Sequence, residues 1–585
     1  MMQPGRRAGS MLAMVVLTGA CAPRASEVPL VPAVGKRVEG GRGVVSASHP
    51  AAAAAGVEVL AAGGNAADAA AAVGFALAVV DPSQTGLGGG GAATIWQAAS
   101  RRADVLQFYA RSGSDPRWGA RDTALAPSPI AGASAGVPGA VQGLLDLQAG
   151  WGRLTRAQVL APAIKLARDG FTVSPLLSRT IASGRAKLAA DPASAARFLP
   201  GGEPLQAGDR LVQPDLAQLL EAIAREGREA FYGGAYAAAL AATVQRHGGL
   251  ITSADLASYA TRRERPLCGT MGPYRVLGAG QPMGGLTVLE ALTALDLQRG
   301  ARTPVDQTRD GEAARTMAAA LRMAQVDGRR FGGDPAAGLV TPTRGLTHGA
   351  YVAQRLTRAV GDSVAADAAW AHEGSTPAAG CAALDPYPAA PRPAIDAPAA
   401  REGEGDPVSQ TSHLSVVDGE GNAVALTYTV GVVFGSGVNV GGVFLNSGGG
   451  NFSPRTRGPS RFANSTIAPT VIVDARGVRL VLGAGGSQYI PTAVTQVAWR
   501  ILALGADPWL AIASPRLQPA GASRDLEMEA GFAPEVYAAM RREGYRVVSR
   551  VGDLQFGGVH LVYVTPDGRR IGAADPRRDG MAAAQ

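Results

Sequence analysis

Residues 410–430, QTSHLSVVDGEGNAVALTYTV, decide the fold of this 585-residue chain. Thr411 to Asp418 and Ala423 to Val430 are two Val- and Thr-rich runs on either side of a Gly419–Asn422 turn, the pattern of a β-hairpin. Upstream, from about 375 to 408, the composition is Ala, Pro, Gly and acidic residues, with Pro386, Pro388, Pro391, Pro393 and Pro398 and little that could pack, as in a mobile linker. A linker that runs straight into a buried strand has two readings. One is an ordinary capped strand start. In the other the Gln410–Thr411 bond is cut, and Thr411 becomes an N-terminus whose hydroxyl is a nucleophile and whose amine is the base.

Outward from the hairpin, helical and strand patterns occur in both halves. Ser48 and Pro50 read as the N-cap and first-turn proline of a helix to Leu60, stopped by Gly63 and Gly64. Asn65 and Asp68 open a second, almost uncharged helix to about Val80, which should be buried between layers. Helices are expected near 140–170, 213–246, 285–297, 310–327 and 492–504, strands at 470–475 and 478–483, and a helix-strand unit near 533–548. This is layered α+β, with no internal repeat. Hydrophobic residues are 46% and charged residues 17%, which excludes a disordered chain.

The first 21 residues read as an export signal: Arg6 and Arg7, an apolar run from Met11 to Leu17, then Thr18, Gly19, Ala20 and Cys21. The small residues before Cys21 resemble a bacterial lipoprotein signal, implying lipidation there; the alternative is an ordinary cleaved signal. Residues 22–42 read as a tether, with order expected from about Gly43. Cys268 and Cys381 could form one disulfide in an oxidising compartment. The six histidines are dispersed, so neither a metal site nor any other cofactor is expected. Net charge is +8, but 52 of the 55 basic residues are arginines scattered singly, with no basic tract interleaved with aromatics, which argues against nucleic acid.

Two motifs fail on context. Gly86, Gly88 and Gly91 match G-x-G-x-x-G, but a helix precedes and a strand follows, the reverse of a dinucleotide fingerprint. Gly132, Ser134 and Gly136 match G-x-S-x-G, yet Pro127 and Pro129 leave almost no strand to feed a nucleophile elbow.

The 410–430 segment resembles the small-subunit start of the gamma-glutamyltranspeptidase family. So do residues 43–91, 135–170, 248–258, 480–487 and Asp575 to Arg577, in the family's order. The resemblance implies a four-layer αββα sandwich of the N-terminal-nucleophile hydrolase type. It also implies self-cleavage of the Gln410–Thr411 bond into a large subunit, 43–410, and a small catalytic one, 411–585, that stay associated. Thr411 is then the nucleophile, Thr429 the threonine that orients its amine, and Gly485 and Gly486 the backbone donors to the oxyanion. Ser465 and Thr466 match the hydroxyl pair that contacts the donor carboxylate, with Thr in place of Ser. His413 is expected to be a packed strand residue and not a base.

The donor pocket departs from the family. Its carboxylate-gripping Arg directly follows the strand's last apolar residue, whereas here Phe108 is followed by Tyr109 and Ala110, and Arg111 could stand in only after a two-residue shift. The family's amine-binding Asn is Gly431, and its Asn-Asn-Gln-Met-Asp-Asp-Phe run reads Asn446, Ser447, Gly448, Gly449, Gly450, Asn451, Phe452, leaving Asn451 in place of an acid. Only Phe452 to Arg461 separates this run from the hydroxyl pair, too short for a lid, so an open site is expected. The family default is a γ-glutamyl donor such as glutathione, with water, an amino acid or a peptide as acceptor. The alternatives are an acylase acting on another amide and a non-catalytic surface lipoprotein. Membrane contact is expected only through a lipid on Cys21.

Overall fold

The computed structural model describes residues 1–2, 33–120, 128–300, 303–338, 341–360, 381, 409–452, 457–551 and 554–585. The export signal with Cys21, most of the tether and nearly all of the 375–408 linker lie outside the described residues. Two antiparallel sheets form the centre of the fold. The first runs Ala33–Gly35, Met581–Ala584, Val44–Ala47, Ser409–Val417, Ala423–Val432, Gly90–Gln97, Arg102–Phe108, Arg262–Glu264. The second runs Arg37–Gly40, Arg570–Ala574, Gly558–Val564, Val478–Gly485, Thr470–Val473, Tyr274–Gly278, Leu267–Met271.

The sheets face each other across an apolar seam that includes Val44, Trp96, Val417, Ala425, Val471, Val481 and Val562. Outside the first sheet lies the helix Ala66–Val80, buried along its whole length and packed on the hairpin strands. Outside the second lie Gly285–Arg299 and Ile490–Leu502. The layers are therefore helix, sheet, sheet, helix. Small residues make this stacking close: a Cβ on Gly74 would meet the Leu144 side chain, and one on Gly56 would meet Val73 at 2.6 Å.

The sequence before and after residue 411 is not divided between domains. The first sheet interleaves five strands that lie wholly before 411 with two that lie wholly after it, and Ser409–Val417 crosses the junction. Pro32 to Gln585 form one unit, so two chains produced by a cut at 410 would share both sheets and much of one core.

Three local expectations are corrected. Ordered strands are already present before Gly43: the tether supplies Ala33–Gly35, paired to Gly35↔Ala582, and Arg37–Gly40, paired to Arg37↔Ala573. These runs are too short to show a period and become strands because the C-terminal strands offer free edges. The first helix, Pro50–Ala61, is capped by His49, whose Nδ1 accepts the Ala51 N–H at 3.2 Å. Ser48 instead accepts the His413 N–H at 3.1 Å and donates to the His413 carbonyl at 3.2 Å, tying the helix start to the hairpin. The strand carrying Thr411 begins at Ser409, so it runs continuously through the Gln410–Thr411 bond. Asn65 caps Ala66–Val80 in a capping box with Asp68, as expected.

Candidate active site

The hairpin sets the site. Asp418 N–H donates to the Asn422 carbonyl at 3.0 Å, leaving a three-residue loop with Gly421 at φ +84. The register then runs Val417↔Ala423 to Ser412↔Tyr428, and beyond it to Gln410↔Gly431. One extra residue on the return strand makes a bulge, so Thr411 faces Thr429 and Val430. There the Thr429 hydroxyl donates to the Gln410 carbonyl oxygen at 2.5 Å and accepts the Gly431 N–H at 2.7 Å. The carbonyl of the Gln410–Thr411 peptide bond is thus already held by a donor. Thr411 itself is buried.

From the second sheet, Gly485 ends the strand Val478–Gly485, and any Cβ there would collide with the Thr411 carbonyl. Only glycine allows this approach. Gly486 follows at φ +133, a conformation that also favours glycine. Arg578, fully buried, reaches the junction as well: its Nη1 donates to the Gln410 Oε1 at 3.3 Å, to the Thr411 carbonyl at 3.4 Å and to Gln84. His413 sits between the sheets with Nδ1 against Thr427 Oγ1 at 2.7 Å and Nε2 against Ser415 Oγ at 2.9 Å. Burial holds its pKa well below the usual value, as does neighbouring His560. It is a neutral, packed strand residue.

The donor side is arranged differently from its sequence reading. Arg111 turns its Nη2 to Ser258 Oγ at 2.9 Å and to the Asp255 carbonyl at 3.3 Å, and lies over the Tyr259 ring at 5.3 Å. Tyr109, the residue directly after Phe108, contacts Asn451 and Ser465 instead. Its phenol receives Asn451 Nδ2 at 3.2 Å and bonds Ser465, and burial holds its pKa above the usual value, so it is a neutral O–H. Thr429 pairs with Gly90, where a Cβ would meet the Phe108–Ala110 backbone at 2.7 to 2.8 Å, so glycine lets the Tyr109 segment close beside Thr429. Thr466 donates its hydroxyl to the Ser487 carbonyl at 2.8 Å, next to the glycine pair. Ser447 fills the space over Gly431. The trio Tyr109, Asn451 and Ser465 is therefore neutral, and the hydrogen bonds among the described residues bring no charged side chain to it.

Ser134, of the rejected G-x-S-x-G motif, lies in the single turn Gly132–Ser134 and donates its hydroxyl to the Ala131 carbonyl at 2.8 Å.

Residues 52–585 match the gamma-glutamyltranspeptidase family. The chain belongs to that family. It is 32% identical over 569 residues to the acylase ACY 1 proenzyme of Pseudomonas sp. (strain V22), covering 94% of each chain. It is 31% identical over 600 residues to the glutathione hydrolase proenzyme of Escherichia coli (strain K12), covering 96% of each. The cephalosporin acylase structure from Bacillus halodurans superposes with a TM-score of 0.78 at 24% identity, covering 98% of this chain and 99% of that one, which shows the shared fold. As a gamma-glutamyltranspeptidase family member, the protein is an enzyme of the amide hydrolase class with the αββα sandwich of N-terminal-nucleophile hydrolases.

Sequence reasoning missed three residues of this site. Tyr109 was passed over because a motif match looks for the lost Arg and not for what fills its space. Arg578 and Asp81, whose carboxylate accepts the Ser412 hydroxyl at 2.6 Å, lie far from Thr411 in sequence; only the fold brings them to the junction.

Proposed function

We propose that this chain is a proenzyme that cuts its own Gln410–Thr411 bond and then, as two associated chains, hydrolyses or transfers the acyl group of an amide donor through an ester on Thr411. The observation that carries this is the Thr429 hydroxyl on the Gln410 carbonyl, inside a bulge that Gly485 presses from the other sheet. In maturation the Thr411 hydroxyl attacks that carbonyl, and water opens the resulting ester. The freed Thr411 amine then serves as base, with Thr429 beside it to orient it. Gly485 and Gly486 supply backbone donors to the oxyanion.

For the donor, the neutral trio Tyr109, Asn451 and Ser465 favours an acyl group without a zwitterionic end, the acylase reading. Asn451 and Gly431 offer no negative charge to an α-ammonium, and Arg111 is engaged with Ser258. Losing a charge-assisted bond costs roughly 1.5 to 3 kcal/mol. The second reading, a γ-glutamyl donor, is supported by the Ser465 and Thr466 pair and by the glutathione hydrolase relatives. The export signal, the lipidation pattern at Cys21 and the Cys268–Cys381 disulfide support a periplasmic or lipid-anchored location. No helix among the described residues is long and apolar enough to cross a membrane. The test is a panel of anilides assayed with the purified enzyme: turnover of acyl anilides lacking an α-amino group above that of γ-glutamyl anilide supports the acylase reading. The reverse order supports the γ-glutamyl one.

A further inference from the structure

On the helix-facing side of the nucleophile's strand, Ser412 donates its hydroxyl to Asp81 Oδ2 at 2.6 Å. Asp81 is buried at the C-terminal end of Ala66–Val80. Its other oxygen accepts Gln84 Nε2 at 2.7 Å, and Gln84 Oε1 accepts from Arg578 Nη1, the same nitrogen that touches Gln410 Oε1 and the Thr411 carbonyl. A closed circuit therefore runs from Ser412 through Asp81, Gln84 and Arg578 back to Gln410 and Thr411. Among its members only Asp81 and Arg578 carry charge. No ion pair joins Arg578 to an acid directly among the described residues, and Asp81 is the largest electrostatic support of its buried guanidinium.

We propose that Asp81 is a positioning residue for maturation: its carboxylate holds Ser412 directly and Arg578 through Gln84, fixing from both sides the Gln410–Thr411–Ser412 backbone that the Thr411 hydroxyl must attack. The inference rests on the reading of Thr411 as nucleophile. The step it serves is an acyl shift. The Thr411 hydroxyl loses its proton as its oxygen bonds the Gln410 carbonyl carbon, and the bond from that carbon to the Thr411 nitrogen breaks. The nitrogen takes up a proton. Water then opens the ester, leaving a carboxylate on Gln410 and restoring the Thr411 hydroxyl. A backbone fixed on both sides spends less free energy reaching that geometry.

The circuit is sensitive to pH. Burial pushes the Asp81 carboxyl up to about 7, against the pull of the Ser412 and Gln84 hydrogen bonds and of Arg578; Asp579 adds a smaller upward push. The groups facing it are Ser412 on the nucleophile's strand, Tyr428 on the return strand, Gln84, and Arg578 and Asp579 of the C-terminal segment. Because its folded pKa lies above the unfolded one, the stability given by the neutral Asp81 carboxyl is fully present below the unfolded value and is lost as pH rises through about 7, where the charge has formed. Removing that charge should therefore slow maturation without destabilising the precursor, an outcome that a merely structural residue would not give.

The test follows cleavage of freshly translated full-length chain from about pH 5.5 to about pH 8.5. Wild type should accelerate through an inflection near 7, and Asp81→Asn should be about tenfold slower at the upper end and lack the inflection. Thr411→Ala/Asp81→Asn should melt no lower than Thr411→Ala at the same pH. Ser412→Ala reads the same bond from its other end, should also mature more slowly, and decides the matter if Asp81→Asn does not fold. Wild-type rate and pH profile in Asp81→Asn, slow maturation accompanied by a lowered melting temperature, or wild-type rate in Ser412→Ala would each overturn the inference. A wild-type chain that never cleaves contradicts the Thr411 reading itself; wild-type cleavage with an indifferent Asp81→Asn contradicts this inference alone.

Discussion

The Thr429 hydroxyl and the Gln410 carbonyl oxygen lie 2.5 Å apart, across a bulge in the hairpin. A donor fixed at the oxygen where charge develops stabilises the attack and needs no reorganisation. Thr429→Val keeps the shape and strand propensity but removes this donor, together with the hydroxyl that accepts the Gly431 N–H. Maturation should slow by about 10²- to 10³-fold, the usual effect of losing one oxyanion donor. Time-resolved intact mass of the precursor and its products gives the rate.

The neutral trio predicts weak binding of a γ-glutamyl donor. Its α-ammonium would lose water without gaining an ionic partner, which raises KM if ground and transition states are affected alike. Asn451→Asp places a carboxylate beside Tyr109 and should lower KM for γ-glutamyl anilide about tenfold, or about 1.4 kcal/mol. A micromolar KM already present in wild type would contradict this account of the pocket.

Acid should unfold the protein partly through Asp575. Burial alone would raise its pKa, but Arg516 at 2.6 Å, Arg577 at 3.1 Å and the Val559 N–H at 2.9 Å overcome that and hold it well below the usual carboxylate range. A depressed folded pKa gives stability that is present above the unfolded value, about 3.9, and is lost as pH falls below it. On the uncleaved Thr411→Ala chain, the urea midpoint should fall steadily below about pH 4. Asp575→Asn should flatten that decline at a cost of about 3 to 5 kcal/mol near neutrality, because it leaves the buried Arg516 guanidinium without its ion-pair partner, while Arg577 keeps Glu529.

The hairpin, the break in composition before it and the capped buried helix were legible in sequence because each is a local rule: alternation, turn chemistry, capping; Gly485 and Gly486 were singled out only through the family resemblance. The strands in the tether were not. Ala33–Gly35 and Arg37–Gly40 acquire their structure from edges supplied more than 500 residues away. Arg111 illustrates a second limit, since spacing could bring it near the pocket but could not tell that Ser258 and the Tyr259 ring hold its guanidinium elsewhere. The Asp81 circuit shows a third: Ser412 reads as an ordinary alternating strand position until the helix end beneath it is known.

Cys268, on the outermost strand of the second sheet, is bonded to Cys381, 113 residues on. Both precede Gln410, so the bond stays within the large subunit after cleavage. Denaturing gels without reductant should therefore still separate the two subunits. Cys381→Ser should destabilise the Thr411→Ala chain by about 2 to 4 kcal/mol, read from urea unfolding.

The central claim is that Thr411 is made into an N-terminus by its own hydroxyl. Intact mass and N-terminal sequencing of the purified wild-type chain, beside Thr411→Ala and Thr411→Ser, test it most directly. The account predicts two wild-type chains with Thr411 at the start of the smaller, a single chain for Thr411→Ala, and slower cleavage at the same bond for Thr411→Ser. A stable single wild-type chain, or normal cleavage in Thr411→Ala, would contradict it.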